Sequence, residues 1–259
     1  MKVGVMGVGV VGGELAKTFN DPILYDPPKK LLGDLNKTDV IFVCVPTPFT
    51  GTFDDTYIKQ AFNHLETLDE KIVVIKSTVL PGTTDKLQEN SKHKIIFSPE
   101  FIRELHVKED TVNPERQIVG YTKKSKNVAG IALGLLPKAP YKKVMKAKEA
   151  ELVKYMGNCF LALKVAFCNQ IYDYAKSKGI DYEPVKEAVS YDSRIGKTHM
   201  EISEDGYRGY GGACFPKDMK SFILESNLSI LKEADKYNDT FGDNSKHGLH
   251  SNNGGQGQT

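Results

Sequence analysis

The segment Gly211-Gly212-Ala213-Cys214-Phe215-Pro216-Lys217-Asp218 sets a thiol on a glycine-rich turn, with an ammonium and a carboxylate within four residues of it. A thiolate so placed can attack an aldehyde and hold it as a hemithioacetal, whose oxidation yields a thioester. Near the start of the chain, Gly7-Val8-Gly9-Val10-Val11-Gly12 stands between an apolar run and an amphipathic stretch. Glycines at this spacing allow a tight turn, close backbone approach to a pyrophosphate and close helix-to-strand packing, while the helix N-terminus offers N–H groups to the anion. The candidate cofactor contacts are therefore Gly7, Gly9, Val10, Val11 and Gly12, with Asp26 at the end of the next apolar run. A carboxylate roughly 20 residues beyond the first glycine binds ribose hydroxyls and repels a 2′-phosphate, favouring NAD over NADP. Lys29 and Lys30 follow closely enough to soften that preference. A nucleophilic thiol and a hydride-acceptor site in one chain point to oxidation through a covalent intermediate.

These groups need a scaffold. Over residues 1–146, short apolar runs alternate with amphipathic or turn-rich stretches, the pattern of βαβ units and a parallel sheet. Strands are expected at Lys2–Met6, Pro22–Tyr25, Val40–Val45, Lys71–Ile75, Lys94–Phe97, Gln117–Gly120 and Lys142–Met145. Helices are expected at Val11–Phe19, Thr56–Leu68, Thr83–Ser91 and Lys126–Leu135. From Ala147 the pattern changes: Leu152, Met156, Cys159, Leu163, Phe167 and Tyr174 form one apolar stripe on a helix of about eight turns. A helix around Glu183–Ser190, a glycine-rich loop at Gly206–Gly212 and a helix from Lys217 to about Lys236 follow. The expected fold is α/β: a Rossmann domain with a parallel sheet over 1–146, an α-helical substrate and dimerisation domain over 147–239, and a polar, glycine-rich tail over 240–259 that cannot offset its ordering entropy.

A chain of 259 residues with a net charge of +2 and scattered basic residues offers no electrostatic case for nucleic acid or a membrane surface. No apolar run approaches the roughly 20 residues of a membrane span. The cysteines at 44, 159, 168 and 214 lie far apart, without a CxxC pair, and the histidines show no ligand spacing, so reduced thiols, a cytoplasmic location and no metal are expected.

Several runs in order carry a resemblance: Val45-Pro46-Thr47-Pro48, Lys76-Ser77-Thr78-Val79-Leu80-Pro81-Gly82, Ser98-Pro99-Glu100-Phe101-Ile102-Arg103-Glu104, Glu151 to Asn158, Arg194-Ile195-Gly196, and Gly211 to Asp218. Together the chain resembles the nucleotide-sugar dehydrogenase family, closest to its UDP-glucose 6-dehydrogenase branch, from Lys2 to about Asp239. The resemblance implies NAD-dependent, four-electron oxidation of a sugar C6 alcohol to a carboxylate through an aldehyde and an enzyme thioester. Cys214 matches the nucleophile, Lys154 the cation that stabilises the oxyanion, and Asn158 its hydrogen-bonding neighbour. Asp218 and Thr78 match groups around the reacting hydroxyl and water, and Glu100 the base for thioester hydrolysis. Glu104, Gly211 and Lys217 fall on the substrate side, while Arg194 matches an arginine that crosses a dimer interface. Thr47 and Thr78 join the cofactor contacts. A nucleotide sugar as substrate and a homodimer through the central helices are implied in the same way.

Elementary chemistry agrees with parts of this. Lys154 and Asn158, four apart on one helix, share a face and can address one oxygen. Thiolate chemistry near neutrality needs a positive field, which Lys154, Lys217 or a helix N-terminus at Lys217 can supply. Plainer roles stay open: Glu100 as a turn former after Pro99, Glu104 paired with Arg103 or Lys108, Arg194 in an interface salt bridge, Lys164 as a solvated helix residue, and the cysteines at 44, 159 and 168 as packing. Two departures from the family stand out, a short connector between Asp26 and Asp39 and no sign of the second Rossmann-like domain that grips the nucleotide. They leave room for a one-step hydroxyacid-type dehydrogenase or a non-catalytic NAD-binding dimer.

Overall fold

The computed structural model describes residues 1–203 and 206–242. The chain divides into two compact units that meet at Lys154/Tyr155. In the first unit the strands are β1 (Val3–Met6), β2 (Ile23–Asp26), β3 (Leu31–Leu32), β4 (Val40–Val43), β5 (Ile72–Ile75), β6 (Lys94–Phe97), β7 (Arg116–Tyr121) and β8 (Tyr141–Lys146). Its helices are α1 (Val10–Ala16), α2 (Thr56–Leu65), α3 (Thr83–Glu89), α4 (Val107–Val112) and α5 (Ala129–Leu135).

The strands form one sheet in the order β3-β2-β1-β4-β5-β6-β7-β8. Pairing is parallel from β2 through β6 and again between β7 and β8. The β2/β3 and β6/β7 pairs are antiparallel, so the sheet is mostly, not wholly, parallel. The central strands are nearly all apolar because both faces are covered. On β4, Ile41 and Val43 pack with Ile58, Phe62 and Leu65 of α2, whereas Val40 and Phe42 pack with Leu15 of α1 and Ala129 and Ala132 of α5. The α2 residues Ile58, Ala61, Phe62 and Leu65 recur at three and four, which makes one buried stripe. Burying a side chain such as Leu65 completely contributes about 2 kcal/mol.

Chain order reverses between β1 and β4, and such a switch point opens a crevice beyond the C-terminal ends of the strands. The glycine loop follows β1, Cys44 follows β4, Lys76 follows β5 and Ser98 follows β6. The long helix α6 (Ala147–Ser177) begins against this sheet. Its first turn reaches the sheet because β7 carries Gly120, where a Cβ would stand 2.7 Å from the Ala150 Cβ and 2.8 Å from the Ala147 Cα.

The second unit continues α6 and adds α7 (Tyr182–Ser190), α8 (Phe215–Ser226) and α9 (Ser229–Asn238). Tyr155 stacks on Phe222 at 5.1 Å between ring centroids, and Cys168, Tyr182 and Met200 form a small buried cluster.

Three expectations about the helices and the tail need correction, and two short elements are additional. The single helix over Lys217–Lys236 is two helices, α8 and α9, broken at Asn227, whose left-handed backbone (φ 59°) ends α8; asparagine tolerates that region better than other non-glycine residues. The apolar stripe on α6 is not the core face. Of its residues Leu152, Met156, Phe167 and Tyr174 are exposed and Cys159 is buried, alongside Ala150, Lys154, Tyr155, Ala162 and Ala166. Lys154 is thus no solvated residue. Strand β3 and helix α4 were not expected, since two and six residues carry too little periodicity to register. At the start of the expected tail, Asp239–Phe241 forms a 3-10 turn, with Phe241 against Tyr237 and under the Arg208 guanidinium. Residues 243–259 of that tail lie outside the described residues.

Candidate active site

The glycine loop is built as a dinucleotide loop requires. Gly7 has φ +84°, and a Cβ on Gly12 would lie 2.0 Å from the Gly7 carbonyl oxygen and 2.9 Å from the Cys44 Cβ. Nothing lies within 4 Å of a Cβ placed on Gly9, which caps α1, and Val10 is exposed, so the mouth of the loop is open. Val11 opens the first turn of α1. The Val8 N–H donates to Asp26 Oδ2 at 2.8 Å and the Lys29 amine donates to the Val8 carbonyl at 2.5 Å. Asp26 is therefore tied to the loop it was expected to serve, and Lys29 sits on its other edge. This cradle fits a dinucleotide.

A second group of the same unit lies beyond β4, β5 and β6. The Lys154 ammonium donates to Glu100 Oε1 at 2.9 Å and to the Glu100 carbonyl at 2.8 Å. Glu100 Oε2 accepts the Ile102 N–H at 2.7 Å. Burial would raise the Glu100 carboxyl, but Lys154, the Ile102 N–H and Lys76 overcome it and hold the group below its ordinary range. Thr47 and Thr78 are both buried, and the Thr47 hydroxyl donates to the Thr78 carbonyl at 2.8 Å, clipping the two turns together. Glu151 braces the same turns: its carboxylate accepts the Gly82 and Thr84 N–H groups at the start of α3. Sequence reasoning quoted Glu151 and Lys76 inside motifs but assigned neither a role. The signal was a charged residue between apolar neighbours for Glu151 and a lysine directly ending an apolar strand for Lys76.

Glu104 is exposed in a 3-10 turn, and Arg103 forks onto Asp110 instead, with Nη2 2.6 Å from Oδ1. The alternative pairing of Glu104 with Arg103 is thereby replaced by Arg103–Asp110.

In the second unit Cys214 is the N-cap of α8 and is exposed, placing the thiol at the positive end of the helix. This helix begins at Phe215 and not, as expected, at Lys217. Asp218 is 1% exposed; Asn158 Nδ2 donates to its Oδ2 at 2.6 Å, and the Lys217 ammonium pairs with its Oδ1. Gly211 lies in the turn just before, and that turn is held by Asn238, whose side chain accepts the Tyr210 N–H at 2.7 Å and donates to the Tyr210 carbonyl at 3.0 Å. The other thiols differ. Cys44 and Cys159 are pushed up by burial to about 12, and burial raises Cys168 as well. Arg194 is exposed and forks onto Asp192. Lys164 is not merely solvated: its ammonium donates to the carbonyls of Ile195 at 2.9 Å and Gly196 at 3.1 Å, pinning the loop that carries Arg194.

Among the described residues no cluster of side chains suits a metal ion, and no helix is long and apolar enough to cross a membrane. Residues 30–133 match the NAD binding domain of the UDP-glucose/GDP-mannose dehydrogenase family, and residues 148–240 match its central domain. The chain belongs to this family. It is similar to the UDP-glucose 6-dehydrogenase TuaD of Bacillus subtilis, with 34% identity over 206 residues that cover 73% of this chain and 42% of the relative. Likeness to the UDP-glucose 6-dehydrogenase AglM of Haloferax volcanii is comparable, at 35% over 208 residues, 72% of this chain and 47% of the relative. A solved UDP-glucose dehydrogenase from Pyrobaculum islandicum superposes with a TM-score of 0.78 and 29% identity over 92% of this chain and 68% of its own. The chain thus spans about half the length of the curated relatives it matches.

Proposed function

We propose that this chain carries the chemistry of an NAD-dependent dehydrogenase that oxidises the C6 alcohol of UDP-glucose to the carboxylate of UDP-glucuronate in two hydride transfers. The observation that carries the reading is Cys214, the exposed thiol among four, at the N-terminus of α8 beside an Asp218 held by Asn158 and Lys217. Bound NAD would supply the hydride acceptor, held by the glycine loop and Asp26. In this reading Cys214 adds to the aldehyde and keeps it as a thiohemiacetal until the second oxidation gives the thioester. Lys154 and Asn158 stabilise the oxyanion, Asp218 and Thr78 orient the reacting hydroxyl and water, and ionised Glu100 takes a proton from the water that hydrolyses the thioester. Positioned acid–base groups contribute about 10²- to 10⁴-fold each. Glu104, Gly211, Lys217 and Arg194 contact the substrate, Arg194 that of a neighbouring subunit.

The exposed Met156, Phe160, Phe167 and Tyr174 on α6 support a homodimer through the central helices, since apolar patches of this kind mark interfaces. A cytoplasmic location belongs to the same proposal.

The test counts NADH formed per nucleotide sugar consumed with UDP-glucose, GDP-mannose and a UDP-N-acetyl sugar. Two per UDP-glucose, lost in Cys214→Ser, is the expected result. One per molecule would replace it with a single-step hydroxyacid-type dehydrogenase. NAD binding without turnover would leave a non-catalytic dinucleotide-binding protein.

A further inference from the structure

Lys76 is a buried cation for which the reaction proposed above has no use. It follows β5 directly, is 6% exposed, and its ammonium donates to Ser98 Oγ at 3.3 Å and to the Pro99 carbonyl at 3.2 Å. Both contacts are long for a charged donor, whose bonds to oxygen normally run about 2.7–2.9 Å. The charged or titratable groups that face it are Cys44 after β4, Glu100 after β6 and Lys154 on α6. With the Cys44 thiol neutral, two buried ammonium groups share one carboxylate, a surplus of one positive charge. A buried cation is costly unless it is paired and hydrogen-bonded, and Lys76 has only two long bonds to neutral oxygens. Two consequences follow from where it sits. It tethers the Ser98-Pro99 turn, whose next residue is Glu100, to the end of β5. It also brings a second positive charge into the neighbourhood of the carboxylate that Lys154 holds directly.

We propose that Lys76 is a positioning residue for Glu100: it holds the Ser98–Glu100 turn in place and adds to the positive charge with which Lys154 keeps the carboxylate ionised. Its effect on turnover rests on the function proposed above; its effect on Glu100 does not. Burial brings the Lys76 ammonium down to about 8, with Glu100 opposing the shift and Lys154 adding to it. The second positive charge is therefore lost as the pH rises through that value, and Glu100 reports the loss.

The experiment follows the Glu100 carboxyl carbon by NMR in the full chain labelled with ¹³C-glutamate, assigned with Glu100→Gln, and titrates wild type, Lys76→Met and Lys76→Arg. Removing a neighbouring cation should raise the Glu100 midpoint by about one pH unit in Lys76→Met, while Lys76→Arg keeps it within about 0.3 unit. The wild-type signal should also show a second, smaller inflection near pH 8, absent from both variants. That inflection is read without any substitution, so its absence overturns the proposal even if Lys76→Met does not fold. An unchanged Glu100 midpoint in folded Lys76→Met overturns it as well. If the chain turns over, the acid limb of kcat should move with the NMR midpoint in Lys76→Met, whereas a purely structural role would lower kcat equally at every pH. Failure to turn over counts against the proposed function and leaves the NMR result standing.

Discussion

Replacing Lys154 by methionine removes the cation but keeps most of the apolar stem, so the cost is chiefly that of the charge pair together with the bond to the Glu100 carbonyl. The pair is well buried, with Lys154 4% and Glu100 13% exposed in their side chains and 2.9 Å between Nζ and Oε1. At an effective dielectric of about 20 the gross attraction at that distance is about 6 kcal/mol, most of it offset by desolvation of the two ions. Removing one partner of a buried pair costs about 3–5 kcal/mol, because the other charge stays buried. Lys76 still faces Glu100, so the lower end, about 3 kcal/mol, is expected for Lys154→Met. Neutralising both, in Lys154→Met with Glu100→Gln, should recover about 2 kcal/mol of that loss. The chain has 0 tryptophans, so far-ultraviolet circular dichroism is the natural probe of thermal unfolding. For a chain of this size 1 kcal/mol corresponds to about 2–4 °C, which gives a fall in Tm of roughly 6–12 °C for the single variant. A fall corresponding to less than about 1 kcal/mol, the value of an exposed ion pair, would refute the reasoning. So would a double variant no more stable than the single one.

Gly12→Ala would bring a methyl against the Gly7 carbonyl and Cys44, and the displaced loop should bind NAD at least about tenfold more weakly by titration calorimetry; binding within about twofold of wild type would contradict the loop assignment. Asp26→Ala should weaken NAD binding and narrow the preference over NADP, measured as the ratio of the two dissociation constants, which would not change if the carboxylate served only the Val8 N–H. In a short iodoacetamide pulse at pH 8, mass spectrometry should find Cys214 alkylated about a hundredfold faster than the rest, because thiols at about 12, as at Cys44 and Cys159, are only about 10⁻⁴ ionised there; equal labelling of Cys159 in the folded chain would speak against its burial. Because the folded-state Glu100 carboxyl is held low, its stabilising contribution is present above the ordinary value of 4.5 and is lost as the pH falls through the folded-state value. Glu100→Gln should therefore show a flatter loss of Tm on acidification than wild type, and parallel curves would show that Glu100 is not coupled to folding.

Local pattern was enough for much of this protein. Short apolar runs such as Val40–Val43 suit strands covered on both faces, and Gly7 to Gly12 between strand and helix suits a tight turn, so the α/β fold and the strand-turn-helix at its start were legible from residues that meet their neighbours in sequence. Very short elements such as Leu31–Leu32, and the break at Asn227, were not, because they depend on pairing and on one residue's backbone angle. The orientation of α6 was also hidden: its apolar positions could face the core or a partner with equal periodicity, and packing put Lys154 and Ala150 inward while leaving Met156 and Phe167 exposed. The sequence by itself settled which residue types were available and in what order the strands would deliver them. Only the tertiary structure decided which charges share a site, because Lys76, Glu100 and Lys154 come from separate segments and their ionisation depends on burial and mutual distance, which no local spacing encodes.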